Sequence, residues 1–141
     1  MVKNMFSRTK LILGQSGLEK LNNANVAVVG IGGVGGHTTE ALVRAGVGNI
    51  TVIDGDVVQE SNINRQIFAL STNVGKTKVE AAKERLLAIN PNLHINAVYL
   101  FYSKETAENI DFSRFDYVVD AIDSISSKVE LIVNCKAVIA G

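Results

Sequence analysis

At 141 residues the chain is one domain by length, and a composition 47% hydrophobic and 20% charged supports a sizeable core. Its 14 Lys and Arg balance 14 Asp and Glu, so nothing in the formal charge points to nonspecific nucleic-acid binding. One cysteine, Cys135, excludes an internal disulfide and a cysteine zinc site. With no secretory apolar segment and no run long enough to span a bilayer, a reduced, cytoplasmic protein is expected.

In chain order, Ser16-Gly17-Leu18-Glu19 resembles a capping box and predicts a short helix through Leu21. Residues 1–24 are expected to form an N-terminal arm and helix, and 25–141 a nucleotide-binding domain. Asn25–Val29 is a short apolar run rich in β-branched residues, which reads as a buried parallel strand. Gly33–Ala45 follows with near-helical apolar spacing. Between them lies Gly30-Ile31-Gly32-Gly33-Val34-Gly35, a glycine run between strand and helix. Gly30, Gly32, Gly33 and Gly35 let the backbone turn and approach a phosphate, while the helix N-terminus offers free N–H groups. Ile50–Ile53 is a second strand capped by Asp54, 19 residues after Gly35, a position suited to ribose hydroxyls. To this point NAD and ATP are equally well served.

Ser61–Leu70 reads as a short helical or looped segment, and Thr77–Ile89 as an amphipathic helix stopped by Asn90-Pro91. His94–Leu100 reads as a third strand, Ser103–Ile110 as a short helix capped by Ser103, Asp116–Ile122 as a fourth strand and Ser124–Lys136 as a helix. Ala137–Gly141 looks like the opening of another strand, so the domain is expected to be cut short at its carboxyl end. The alternation predicts an α/β, Rossmann-like, doubly wound and mostly parallel sheet with flanking helices.

Ligands of such a sheet sit at the carboxyl ends of its strands. Asp54 and Asp56 fall there, with Asn62, Arg65 and Gln66 just beyond, as do Asp120 and Asp123, and Lys78 can reach the same crevice. Two cations and several carboxylates around one anion site make up the inventory for a polyphosphate with magnesium. The competing readings are a solvated Arg65, a solvated Lys78 beside Lys76 and Glu80, a turn-forming Asp54 and a helix-capping Asp123. His37 and His94 have no spaced partner and receive no catalytic role. Cys135 reads as core.

Phe6-Ser7-Arg8-Thr9, the glycine run, Asp54-Gly55-Asp56, Ser61-Asn62-Ile63-Asn64-Arg65-Gln66, Gly75-Lys76-Thr77-Lys78-Val79 and Val119-Asp120-Ala121-Ile122-Asp123 occur in this order. Together they resemble the ubiquitin-activating-like adenylyltransferases, the superfamily of ThiF, MoeB and HesA, over essentially the whole chain. Within it they look most like the tRNA threonylcarbamoyladenosine dehydratase branch. The resemblance implies ATP and Mg2+ as cofactors and transfer of AMP to a carboxylate. In that branch the carboxylate is the threonylcarbamoyl group of a tRNA, which then cyclises as AMP leaves. It also implies that Asp54 holds the ribose, that Asn62, Arg65 and Lys78 bind phosphates, that Asp123 positions magnesium, and that Arg8 reaches into the partner's site in a homodimer. An activator of a ubiquitin-like sulfur-carrier protein, with a sulfur-transfer partner, is the alternative. Others are an NAD dehydrogenase, which leaves Arg65, Lys78 and Asp123 unexplained, and a noncatalytic nucleotide-binding or dimerisation module. Family members continue for roughly another hundred residues, so this chain is expected to bind ATP yet turn over poorly.

Overall fold

Two apolar strands organise the molecule. The computed structural model describes residues 5–135 and the backbone of the strand Val138–Ala140. Asn25–Val29 forms β1 and Asn49–Asp54 forms β2, the latter one residue longer at each end than the apolar run alone predicts. Both are buried on two faces. Val26 and Val28 of β1 enter one core with Val43, Val79, Ala82 and Leu86, while Ala27 and Val29 enter a second with Val118, Tyr102, Phe112 and Leu131. That double burial is why both strands read as continuous apolar runs.

His94–Tyr99 (β3), Tyr117–Asp120 (β4) and Val138–Ala140 (β5) complete a sheet of order β3-β2-β1-β4-β5, with every pairing parallel. The helices are α1 (Ser7–Asn23), α2 (Gly33–Ala45), α3 (Lys78–Ile89) and α4 (Ile125–Asn134). Residues of α2 and α3 fill the first core and Leu131 of α4 the second, so helices cover both faces. The chain winds outward through β1, β2 and β3, then returns to place β4 on the other side of β1. The order therefore reverses between β1 and β4. Val29 pairs with both Ile53 and Asp120, so three strands end at one level there.

Four sequence expectations need correction. The N-terminal helix starts at Ser7 rather than at Ser16, and Ser16 lies inside it. Phe6 and Leu18 are both buried and anchor the longer element, while Gly14 (φ 72°, ψ 176°) interrupts it with a conformation that suits glycine. Ser103–Ile110 holds only a single 3-10 turn, Ala107–Asn109. There the Thr106 hydroxyl donates to Phe101 O (2.6 Å) and accepts from Ser103 N–H (2.9 Å), giving the backbone an alternative to a helix. The fourth strand is shorter than Asp116–Ile122, because Asp120 Oδ1 accepts the Ile122 N–H (3.2 Å) and turns the chain. The third strand likewise ends at Tyr99 rather than Leu100. Of the expected last helix, Ile125–Asn134 is formed, with Ser124 at its cap, while Lys136, Ala137 and Gly141 lie outside the described residues. Among the described residues no helix is long and apolar enough to cross a membrane.

One buried carboxylate ties α2 to α3. Glu40, 8% exposed, accepts from Arg85 Nε at 2.6 Å and from Arg44 Nε at 2.9 Å. The Arg85 hydrogen bond, opposed by burial and helped by Arg44, holds its carboxyl below the ordinary 4.5. A carboxylate with a lowered folded value stabilises the fold above its unfolded value, and that contribution is lost as pH falls through the folded value. Both arginines are more than a third exposed, so the net effect is modest. Glu40→Gln is expected to lower stability by about 1–2 kcal/mol at neutral pH. In urea titrations over a pH series the gap from the wild type should close below pH 4.5. A gap that persists in acid would place the effect in packing instead.

Candidate functional site

The strand ends leave room for a ligand because glycine removes the side chains that would fill it. Gly30 follows β1 with φ +88°, and a Cβ there would lie 2.6 Å from the Ala121 carbonyl oxygen. A Cβ on Gly35 would collide with the Gly30 carbonyl oxygen. These two glycines let the turn after β1, the first turn of α2 and the segment after β4 meet backbone to backbone. Gly32 caps α2 with no side-chain hydrogen bond, so the helix presents its first N–H groups, and the positive end of its dipole, to the cleft.

That cleft, of about 480 Å³, opens at the β1/β4 reversal and is floored by Val29, Gly30, Ile53 and Asp120. Asp54 closes one side. Its Oδ2 accepts the Ile31 N–H (2.9 Å) and its Oδ1 the Asp56 N–H (2.8 Å), so the carboxylate pins the glycine turn to the end of β2. Each oxygen keeps a lone pair for a further donor. Lys78 heads α3, capped by the Thr77 hydroxyl, and is 7% exposed. Its backbone N–H binds Asp56 O (3.0 Å) and its Nζ stands 3.5 Å from Asp56 Oδ2. Gln66 is buried against Gly32.

The opposite wall comes from β4 and α4. Asp120 is almost fully buried, and its Oδ2 pairs with Lys128 Nζ at 3.0 Å. Asp123 is exposed on the connecting turn. Tyr102 backs the cleft from beyond β3, its phenol pushed up by burial and then by the Glu130 charge. The charged lining is thus four carboxylates, Asp54, Asp56, Asp120 and Asp123, against Lys78 and Lys128. Among the described residues no three His, Cys, Asp or Glu side chains group to hold a metal alone. The donor set fits a magnesium ion held by one carboxylate and by phosphates, the usual mode for that ion.

Of the residues singled out in the sequence, Gly30, Gly32, Gly33, Asp54, Asp56, Gln66, Lys78 and Asp123 converge on the cleft. Gly35 sits behind it as a packing glycine. Asn62 and Arg65 lie outside the lining. Asn62 is buried and its Oδ1 accepts the Gln59 N–H (2.9 Å), which shapes the loop. Arg65 is exposed at the rim with its Cγ near Gly33, and its Nη1 donates to Ser61 O and Asn64 Oδ1. Arg8 is exposed, two residues beyond Phe6. Phe6 packs near Gly46, at the far end of α2, about 20 Å from the cleft along that helix. Lys128 and Phe101 also line the cleft and went unnoticed in the sequence. The signal for Lys128 was its place one turn past the expected cap Ser124.

Asp54→Asn removes one carboxylate acceptor and is expected to destabilise the chain by about 1–2 kcal/mol. Amide hydrogen exchange should quicken at Ile31 and Asp56, and unchanged protection at both would mean the carboxylate does not hold the turn.

Set beside known proteins, the chain matches the ThiF family over residues 6–139. It is 46% identical to the tRNA threonylcarbamoyladenosine dehydratase of Bacillus subtilis, covering 94% of this chain and 52% of that protein. It is 38% identical to a sulfur carrier protein adenylyltransferase of Thermus thermophilus, covering 92% of this chain and 46% of the other. Among solved structures, Escherichia coli tRNA N6-threonylcarbamoyladenosine dehydratase in complex with ATP superposes with a TM-score of 0.90 at 39% identity, over 97% of this chain and 58% of that one. The same enzyme with AMP gives 0.94 at 38% identity, over 99% and 60%. The chain spans about half the length of the curated relatives it matches.

Proposed function

The chain belongs to the ThiF family, and from the cleft it carries we propose that it is an ATP-dependent adenylating enzyme of the tRNA threonylcarbamoyladenosine dehydratase type. The observation that carries this reading is the cleft itself: a glycine-built helix N-terminus between Asp54 and Lys78 on one side and Asp123 on the other. The identity to the B. subtilis dehydratase and the likeness to the ATP-bound E. coli enzyme support the same choice. A nicotinamide cofactor would leave Lys78 and Asp123 unexplained.

In this reading Asp54 takes the ribose hydroxyls, and the first N–H groups of α2 take the α-phosphate. Lys78, Gln66 and Arg65 face the outer phosphates; Asn62 serves them by holding the Arg65 loop. Asp123, with the phosphates, would hold a magnesium ion, which would supply the positive charge that a lining with two excess carboxylates lacks. A substrate carboxylate oxygen attacks the α-phosphorus, a new P–O bond forms, and the bond to the β-phosphate breaks with its electron pair leaving on pyrophosphate. The carboxyl carbon now bears AMP, a good leaving group, and cyclisation of the threonylcarbamoyl group on tRNA expels it. Arg8, remote from its own chain's cleft, belongs to the site of a second copy in a homodimer. Activation of a sulfur-carrier protein, with a sulfur-transfer partner, is a second reading, supported by the T. thermophilus relative at lower identity.

Thermal unfolding with ligands tests the assignment. ATP with magnesium at about a hundredfold excess over Kd should raise Tm by about 5–10 °C, while NAD should leave it unchanged. Arg65→Ala should weaken ATP–magnesium by about 1.5–3 kcal/mol in a folded protein. Asp123→Asn should weaken ATP–magnesium but spare AMP. Protection by NAD and not by ATP would refute the reading, and a loss of AMP binding in Asp123→Asn equal to its loss of ATP–magnesium binding would refute the division of roles.

A further inference from the structure

Two lysines reach the cleft, and they stand on opposite walls. Lys78 is tied to Asp56, just past β2, and Lys128 to Asp120, at the end of β4. β1 and its glycine turn lie between them, because the order there is β2-β1-β4. The adenylation scheme gives Lys78 the outer phosphates and gives Lys128 no task.

Asp120 shows how Lys128 is held. The Asp120 side chain is 3% exposed, with Oδ1 taken by the Ile122 N–H and Oδ2 by Lys128 Nζ. A carboxylate this buried, stripped of its cation, would be strongly destabilising, so Lys128 stays on it when a ligand enters. An ammonium carries three donors, and the Lys128 side chain keeps 34% exposure at the cleft wall. Asp120 therefore fixes Nζ in place while leaving donors for an anion.

The geometry of displacement at phosphorus says which anion comes there. Attacking and leaving oxygens stand roughly in line through the α-phosphorus. With pyrophosphate departing along the wall of Lys78 and Gln66, the nucleophile approaches from the wall of β4 and α4. Resting on the adenylation reading, we infer that Lys128, clamped by Asp120, binds the substrate carboxylate and aligns it against the α-phosphate. It contacts the oxygen that does not attack and keeps its own proton. The other oxygen forms the new P–O bond as the pair of electrons leaves on pyrophosphate. The substrate class for this wall is thus an acyl group with a free carboxylate.

Calorimetry separates this role from ATP binding. The chain is first saturated with α,β-methylene ATP and magnesium. It is then titrated with the nucleoside N6-threonylcarbamoyladenosine, and separately with its methyl ester. Wild-type protein should bind the acid and discriminate against the ester. Lys128→Gln should weaken the acid about tenfold to a hundredfold, the loss of one charge-assisted contact, and should abolish that discrimination. Lys128→Arg should restore most of it. The double variant Asp120→Asn, Lys128→Gln removes both charges together, so it remains informative if the single variant unfolds. In every variant the loss should fall on the acid rather than on the ATP analogue. Equal binding of acid and ester by the wild type, no binding of the acid to a chain that does bind the analogue, or a larger loss on the analogue than on the acid would overturn the inference. A wild-type chain that binds no ATP analogue would instead overturn the adenylation reading beneath it.

Discussion

Everything at the site depends on one close approach of backbone to backbone. The carbonyl of Gly30 faces the α-carbon of Gly35, and the α-carbon of Gly30 faces the carbonyl of Ala121, with no room for a Cβ at either glycine. Because β1, β2 and β4 end in register, this contact brings the first turn of α2 directly over the strand ends. The cleft follows from that geometry. A side chain at either glycine would push α2 or the β4 end away, and with it the helix N-terminus that the glycine turn aims at the floor.

The second organising feature is that the cleft's cations are both held by carboxylates. Lys78, itself buried, stands 3.5 Å from Asp56, and Lys128 is held at 3.0 Å by the buried Asp120. Preorganised charge of this kind needs little rearrangement at the moment of reaction, which is where electrostatic stabilisation gains its effect. The excess of carboxylates has the opposite consequence for a bare polyphosphate, which the lining would repel. A ligand that brings its own divalent cation removes the conflict.

Much of this was legible in the residues. β1 and α2 have the bounds that the apolar run and the helical spacing predict, because a doubly buried strand and a glycine-led helix leave unmistakable patterns. Thr77 and Asn90 mark the ends of α3 for the same local reasons, a hydroxyl cap and a following proline. Local pattern failed where a side chain bonds its own backbone. Thr106 diverts Ser103–Ile110 from helix to turn, and Asp120 stops β4 early, and neither act has a spacing signature. It failed again where an element is held from a distance, as α1 is through Phe6. Asn62 shows a subtler gap: an asparagine that shapes a loop and one that binds a phosphate look alike in sequence, and only the Gln59 N–H it accepts reveals what its carbonyl does. Lys128 was missed because its importance comes from Asp120, eight positions away across a turn whose path is set by the fold.

The central claim is that a nucleotide phosphate sits on the N-terminal turn of α2 while its ribose meets Asp54. Backbone amide NMR during a titration with AMP reads this directly. AMP should move the amides of Gly32, Gly33, Val34 and Gly35 most, with Asp54, Gly55 and Asp56 close behind, and should leave α3 beyond its first turn undisturbed. Shifts concentrated away from the glycine turn, or none at AMP concentrations that protect the chain from heat, would contradict it.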